Sequence, residues 1–245
     1  MIHAPVRPLV ALALAAAVAV SACGPTAGPI MPSGGPTQAP SVAPSDAPSD
    51  VPASQPAGGI PDSCPKSAPA PLAAETTAKV TLATEKGDIV IEVKGSLAPS
   101  ATGNFVALAE CGFYDGVVFH RLVPGFVIQG GDGENGRQPN VDPNLVGTGG
   151  PGYTITDDPV TTPYARGTVA MARTPAPNSQ GSQFFIVLDD QARAALESAN
   201  TYAILGTVVS GMDVVDTIAD MPNSGSPANA ALEPVAITKA TVSQP

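Results

Sequence analysis

The sequence predicts a mainly β domain, a closed antiparallel barrel capped by two α-helices. Three observations carry this. Short β-rich apolar runs recur downstream of residue 76, several alternating with period two, and are punctuated by turn residues. Two main segments show instead the three- and four-residue spacing of amphipathic helices. Proline is concentrated upstream, with 13 of the 28 prolines in residues 24–71. The packed part is thereby confined to about 170 residues, enough to bury one sizeable core.

In chain order, residues 79–84 alternate as a strand, Glu85-Lys86-Gly87-Asp88 forms a turn, and residues 89–93 return as its hairpin partner. Pro99 opens a helix over residues 100–110, with Phe105, Leu108 and Ala109 on its apolar face and Gly112 as its stop. Residues 117–123 and 126–129 are β-rich and flank Pro124-Gly125. Period two puts Val127 and Gln129 on one face and Ile128 on the core side. Residues 130–152 read as loop. Further strands are expected at 153–156, 167–172, 183–188, 202–209 and 235–242, a helical stretch at 192–199, and an amphipathic helix at 212–219.

The N-terminus reads as an address. Arg7 precedes an apolar run over residues 9–20, too short for the roughly 20 residues of a membrane span but suited to a signal core. Val20-Ser21-Ala22-Cys23 resembles the bacterial lipoprotein signal, in which the Cys is acylated and becomes the new N-terminus. The alternative is an ordinary secretory signal with an incidental Cys. The anchor is favoured because a tether follows. The expected organisation is a signal over 1–22, acylated Cys23 with a Pro/Ala/Ser-rich disordered tether over 23–75, and a folded domain over 76–245. Residues 24–71, fully extended as polyproline, would reach about 150 Å. The protein is accordingly expected on the outer face of the bacterial cell membrane, held by lipid alone.

Composition excludes several chemistries. The net charge is −10, with no basic run, so nucleic acid is not an expected partner. Once the leader is removed, His120 is the one histidine left, and no Cys-x-x-Cys pair occurs. No metal and no cofactor is expected. Cys64 and Cys111 could pair in an exported protein, provided Cys64 lies beside the helix ending at Cys111; otherwise they are two free thiols. Residues 147–152 fit G-x-G-x-x-G, but no helix follows and Pro stands at the fifth place, against a dinucleotide site.

Residues 119–132, Phe-His-Arg-Leu-Val-Pro-Gly-Phe-Val-Ile-Gln-Gly-Gly-Asp, resemble the cyclophilin signature at nearly every position. Gly-Thr-Val-Ala-Met-Ala-Arg at 167–173, running on to Gly-Ser-Gln-Phe-Phe-Ile-Val at 181–187, resembles the other half of the groove of the same family in its bacterial form. The resemblance covers about residues 79–242. It implies an eight-stranded barrel capped by two helices, and a peptidyl-prolyl cis-trans isomerase acting on proline-containing segments of exported proteins. A monomer is expected. Arg121 matches the catalytic arginine. Phe126, Val127, Gln129, Ala172, Arg173, Gln183 and Phe185 match substrate-binding positions. Tyr202 stands where some members carry His, and His120 is given a minor place at the groove edge.

The residue types suit the reaction. Rotating an X-Pro bond breaks amide conjugation, with a barrier of about 18–20 kcal/mol. The proline nitrogen becomes pyramidal and gains a localised lone pair at the top of that barrier. A fixed donor aimed at the nitrogen therefore favours the transition state over either isomer. Arg121 is such a donor and needs no proton transfer. A groove that holds proline segments without turnover is the alternative. The chain has no Trp, whereas many cyclophilins carry one on the groove wall where cyclosporin binds. Here that wall falls in residues 189–201, with Leu196 the nearest apolar candidate.

Overall fold

The structure is a computed structural model that describes residues 59–243. The expected leader, Cys23 and the Pro-rich run up to residue 58 lie outside the described residues. The chain opens with a hairpin, β1 (Thr77–Thr84) and β2 (Gly87–Lys94), whose last paired residues are Thr84 and Gly87. Gly87 takes a positive φ of 127° there, where a side chain would be strained. Then follow α1 (Pro99–Glu110), β3 (Phe119–Val123), β4 (Val127–Gly130), β5 (Thr168–Met171), β6 (Phe184–Val187), α2 (Arg193–Ala199), β7 (Ile204–Ser210), α3 (Met212–Ala219) and β8 (Ile237–Ser243).

The eight strands form one antiparallel sheet in the order β3-β4-β6-β5-β7-β2-β1-β8. Its ends curl round to meet, but β3 and β8 share no ladder. A lone bridge between Val118 and Ala236 joins them, flanked by bonds from Phe119 N to Val235 O and from Ile237 N to Val117 O. The expected closed barrel is thus a curled sheet with a stitched seam. The stitching still covers backbone groups that an open edge would expose.

Alternation explains what faces inward. Val80, Leu82, Ile89, Ile91, Val93, Leu122, Ile128, Val169 and Ile186 point into the main core. Phe105 of α1 meets Tyr114 and Phe184 there, with ring centroids 5.2 and 5.4 Å apart. Helix α1 begins with Pro99, whose missing N–H costs nothing at that position. Another orphan donor of the first turn, Ala101 N, is satisfied by Asp158 Oδ2 at 2.8 Å. Helix α3 buries Val215, Ile218 and Ala219. The third helix, α2, is short and buries Leu196 alone.

Two expectations need correction. Residues 153–156 form no strand; they contribute one bridge, Ile155 with Gln180. A Gly-Pro-Gly entry and Pro159 on the far side limit a ladder there. Residues 59–75, expected to belong to a disordered tether, are packed instead. Residues 59–76 lie as a strap across α1, with Leu72 N bonded to Pro99 O and Cys64 buried and disulfide-bonded to Cys111 (Cα–Cα 5.1 Å). The strap runs so close that a Cβ on Gly103, inside α1, would sit 2.4 Å from Ala70 O, and one on Gly95 would sit 2.1 Å from Ala73 O. A glycine inside a helix costs about 1 kcal/mol against alanine, and here it makes room for the strap.

Candidate active site

Strand register builds the site. Arg121 on β3 is opposite Gln129 on β4. Gln129 is opposite Phe185 on β6, and Phe185 is opposite Ala170 on β5. Directly opposed side chains lie about 5 Å apart, so these four residues form one row across the outer face. Val127, Ala170, Phe185, Leu196 and Ile204 belong to an apolar cluster on this face, separate from the barrel core, while Ile128, Phe184 and Ile186 belong to the core.

Arg121 reaches the outer face through a bulge. Phe119 pairs with Gly130 and Arg121 with Gln129, so His120 is the extra residue. In a regular strand without the bulge, Phe119 and Arg121 would share one face, as i and i+2 do. The bulge leaves Phe119 in the core and turns Arg121 out, a recurrent use of the device beside active sites.

Arg121, Phe126, Val127, Gln129, Ala172, Arg173, Phe185, Leu196 and Tyr202 line a cavity of about 230 Å3. Its floor is Phe185, against which the Tyr202 ring stands edge-on at 5.3 Å. Tyr202 is held in turn by Tyr164, whose hydroxyl donates to Tyr202 O at 2.9 Å. Leu196, from α2, supplies the wall that the absence of Trp left open. A second cavity of about 560 Å3 adjoins the first and shares Gln129, Ala172 and Arg173 with it; Glu134, Tyr153 and Gln183 add to its lining.

A chain of hydrogen bonds runs between the two. Arg121 Nη1 donates to Gln129 Oε1 at 3.5 Å. Gln129 Nε2 donates to Gln183 Oε1 at 3.0 Å, and Gln183 Nε2 to Gly149 O at 2.9 Å. Gly149 sits in a loop organised by Asp132. That buried carboxylate accepts the backbone N–H groups of Glu134, Asn135, Gly147 and Gly149 at 2.7–3.1 Å.

One residue, His120, stands elsewhere than expected, and a second, Arg173, has its charge engaged. His120 is 6% exposed and lines neither cavity. It lies under Gly147, neither ring nitrogen has a partner among the described residues, and burial pushes its pKa down to about 4. The Asp132 charge and the nearby Val118 backbone oppose that shift, and the Arg121 charge adds to it. Arg173 does line both cavities, but its guanidinium is occupied. It pairs with Asp157 Oδ2 at 2.8 Å and donates to the carbonyls of Thr174 and Ala176. Sequence reasoning missed both Asp132 and Asp157. Acids in Gly/Pro/Asn loops carry no periodicity, and only the fold shows what they accept.

Residues 79–242 match the family model for "Cyclophilin type peptidyl-prolyl cis-trans isomerase/CLD". The chain is 41% identical over 167 residues to a Brucella abortus (strain 2308) protein named "Probable peptidyl-prolyl cis-trans isomerase", covering 66% of this chain and 81% of that one. It is 39% identical over 162 residues to the peptidyl-prolyl cis-trans isomerase of Acinetobacter baylyi (strain ATCC 33305 / BD413 / ADP1), covering 64% and 81%. Among solved structures it is similar to a cyclophilin type peptidyl-prolyl cis-trans isomerase of Cryptosporidium parvum, with TM-score 0.56, 28% identity and coverage of 69% of this chain and 99% of that one. A crystal structure of the same C. parvum protein in the presence of the dipeptide Ala-Pro gives TM-score 0.55, 28% identity and coverage of 68% and 99%.

Proposed function

The chain belongs to the cyclophilin type peptidyl-prolyl cis-trans isomerases, enzymes that rotate X-Pro bonds, and we propose that it does so through Arg121 on proline-containing segments of exported proteins. One observation carries the mechanism. Arg121 lines the same cavity as the apolar side chains of Phe126, Leu196 and Phe185, with one N–H donated to Gln129. A proline ring seated between Phe126, Leu196 and Phe185 brings its nitrogen toward the guanidinium. As the bond twists, conjugation is lost and the nitrogen lone pair localises. A donor held in place stabilises that state and not the planar isomers. The Gln129–Gln183–Gly149 chain supplies the holding. No proton is transferred, in keeping with His120 being buried away from both cavities.

The export part of the proposal rests on the leader-like residues 1–22 and on the Cys64–Cys111 disulfide, a bond typical of oxidising compartments. Lipid on Cys23 would anchor the enzyme to the outer face of the bacterial cell membrane, and the domain would act as a monomer. The test is a cis/trans assay on a proline tetrapeptide with the wild-type chain and Arg121→Ala. Wild type should accelerate isomerisation, and the variant should lose about a hundredfold or more in kcat, as when a fixed transition-state donor is removed. Equal activity in the two would overturn the role given to Arg121. Mass measurement of the native N-terminus tests acylation of Cys23.

A further inference from the structure

Asp157 has more partners than a surface carboxylate requires. Oδ2 accepts from Arg173 Nη1 at 2.8 Å and from Asn178 N at 2.9 Å. Oδ1 accepts from Gln180 Nε2 at 2.8 Å, and Asp157 N donates to Asn178 Oδ1 at 2.9 Å. The Arg173 side chain is 8% exposed and that of Asp157 25%, so this ion pair is largely desolvated and fixed in geometry. Gln180 is fully buried. The carboxylate therefore ties residues 173, 178 and 180 together, outside a turn that Ser179 Oγ also bridges from within by accepting from Thr174 N and donating to Ala176 O.

That turn carries site residues at both ends. Ala172 precedes Arg173 and donates its N–H to Gln183 O at 2.9 Å. Gln183 then bonds Gln129, and Gln129 bonds Arg121. The contacts are continuous from Asp157 to the guanidinium. We propose that Asp157 is a positioning residue of the isomerase site: it fixes Arg173 and the turn behind it, and through the Ala172–Gln183 pairing keeps Gln129 seated against Arg121. This rests on the reading of Arg121 as the donor to proline nitrogen. It also gives Arg173 the task of holding the wall in place of contacting substrate through its charge.

The experiment measures kcat and KM separately on a proline tetrapeptide, with melting temperature taken in parallel. The variants are Asp157→Ala, Asp157→Asn, Asp157→Glu, Gln183→Ala and the Asp157→Ala/Gln183→Ala pair. Asp157→Ala should lower kcat/KM by about tenfold, mainly in kcat, and Asp157→Glu should restore most of it. On the Gln183→Ala background, Asp157→Ala should cost less than about twofold, because the residue it acts through is gone. Should Asp157→Ala not fold, the isosteric Asp157→Asn carries the same comparison. Wild-type turnover in a folded variant, a rise in KM alone, or multiplying effects of the two substitutions would overturn the inference. Arg121-dependent activity indifferent to Asp157 would sink this inference only. Absence of Arg121-dependent activity would sink the proposed mechanism and this inference together.

Discussion

Acid should destabilise this domain through one side chain, His120. It is buried behind the β3 bulge, its two nitrogens lack partners, and its pKa falls to about 4 from an ordinary 6.5. In the unfolded chain the same ring is solvated and takes a proton near pH 6.5. Between those values the unfolded state binds more protons than the folded one, so stability rises with pH and is lost as pH falls from about 6.5 to about 4. Linkage puts the loss at about 1 kcal/mol at pH 5.5 and about 3 kcal/mol below pH 4. That is a large share of the 5–15 kcal/mol typical of a domain. Urea titrations of wild type and His120→Phe from pH 7 to pH 4.5 check it. The gap between their stabilities should change by about 2 kcal/mol over that range, after the carboxylates common to both cancel. His120 is the one histidine after residue 3, so its ring resonance in an NMR titration is readily assigned. A midpoint above pH 6, or parallel acid curves for the two proteins, would refute the assignment of the loss to this ring.

Two more outcomes are expected. Cys64→Ser with Cys111→Ser opens a closed loop of sequence separation 47, and should lower stability by about 4 kcal/mol on the chain-entropy estimate; an unchanged denaturation midpoint would contradict it. Cyclosporin should inhibit weakly, because the chain has no Trp and Leu196 lines the groove wall. Leu196→Trp should tighten inhibition by about tenfold, and tight inhibition of the wild-type chain would contradict the account.

Much of the fold was legible because strands declare themselves by period. Val127 and Gln129 against Ile128 divided groove from core correctly, whereas the remaining groove residues were legible through the family resemblance. Where periodicity is broken, the sequence misled. The bulge at His120 is one such place, since nothing in Phe-His-Arg-Leu says that one residue is skipped in pairing. The strap is another. Its Pro/Ser/Ala composition matches a linker, and its apolar ties to the core are few: Ile60, Cys64 and Leu72. The donors and acceptors around Asp132 and Asp157 come from segments up to 23 residues away. Such hubs depend on loop paths, and loop paths depend on the packed barrel beneath them.

The strap's disulfide has a mechanical consequence. Cys64 precedes β1, and Cys111 follows α1, so the bond encloses β1, β2 and α1 in a covalent ring. A pull applied upstream of Cys64 passes through sulfur to the far end of α1 and leaves the ring slack. About 46 residues, roughly 160 Å of contour at full extension, are withheld from any stretching. In a single-molecule pulling trace the oxidised domain should release a shorter length than its residue count allows, and reduction should return the missing span. The hairpin most exposed to tension by its place in the chain is thus the part that tension cannot unravel.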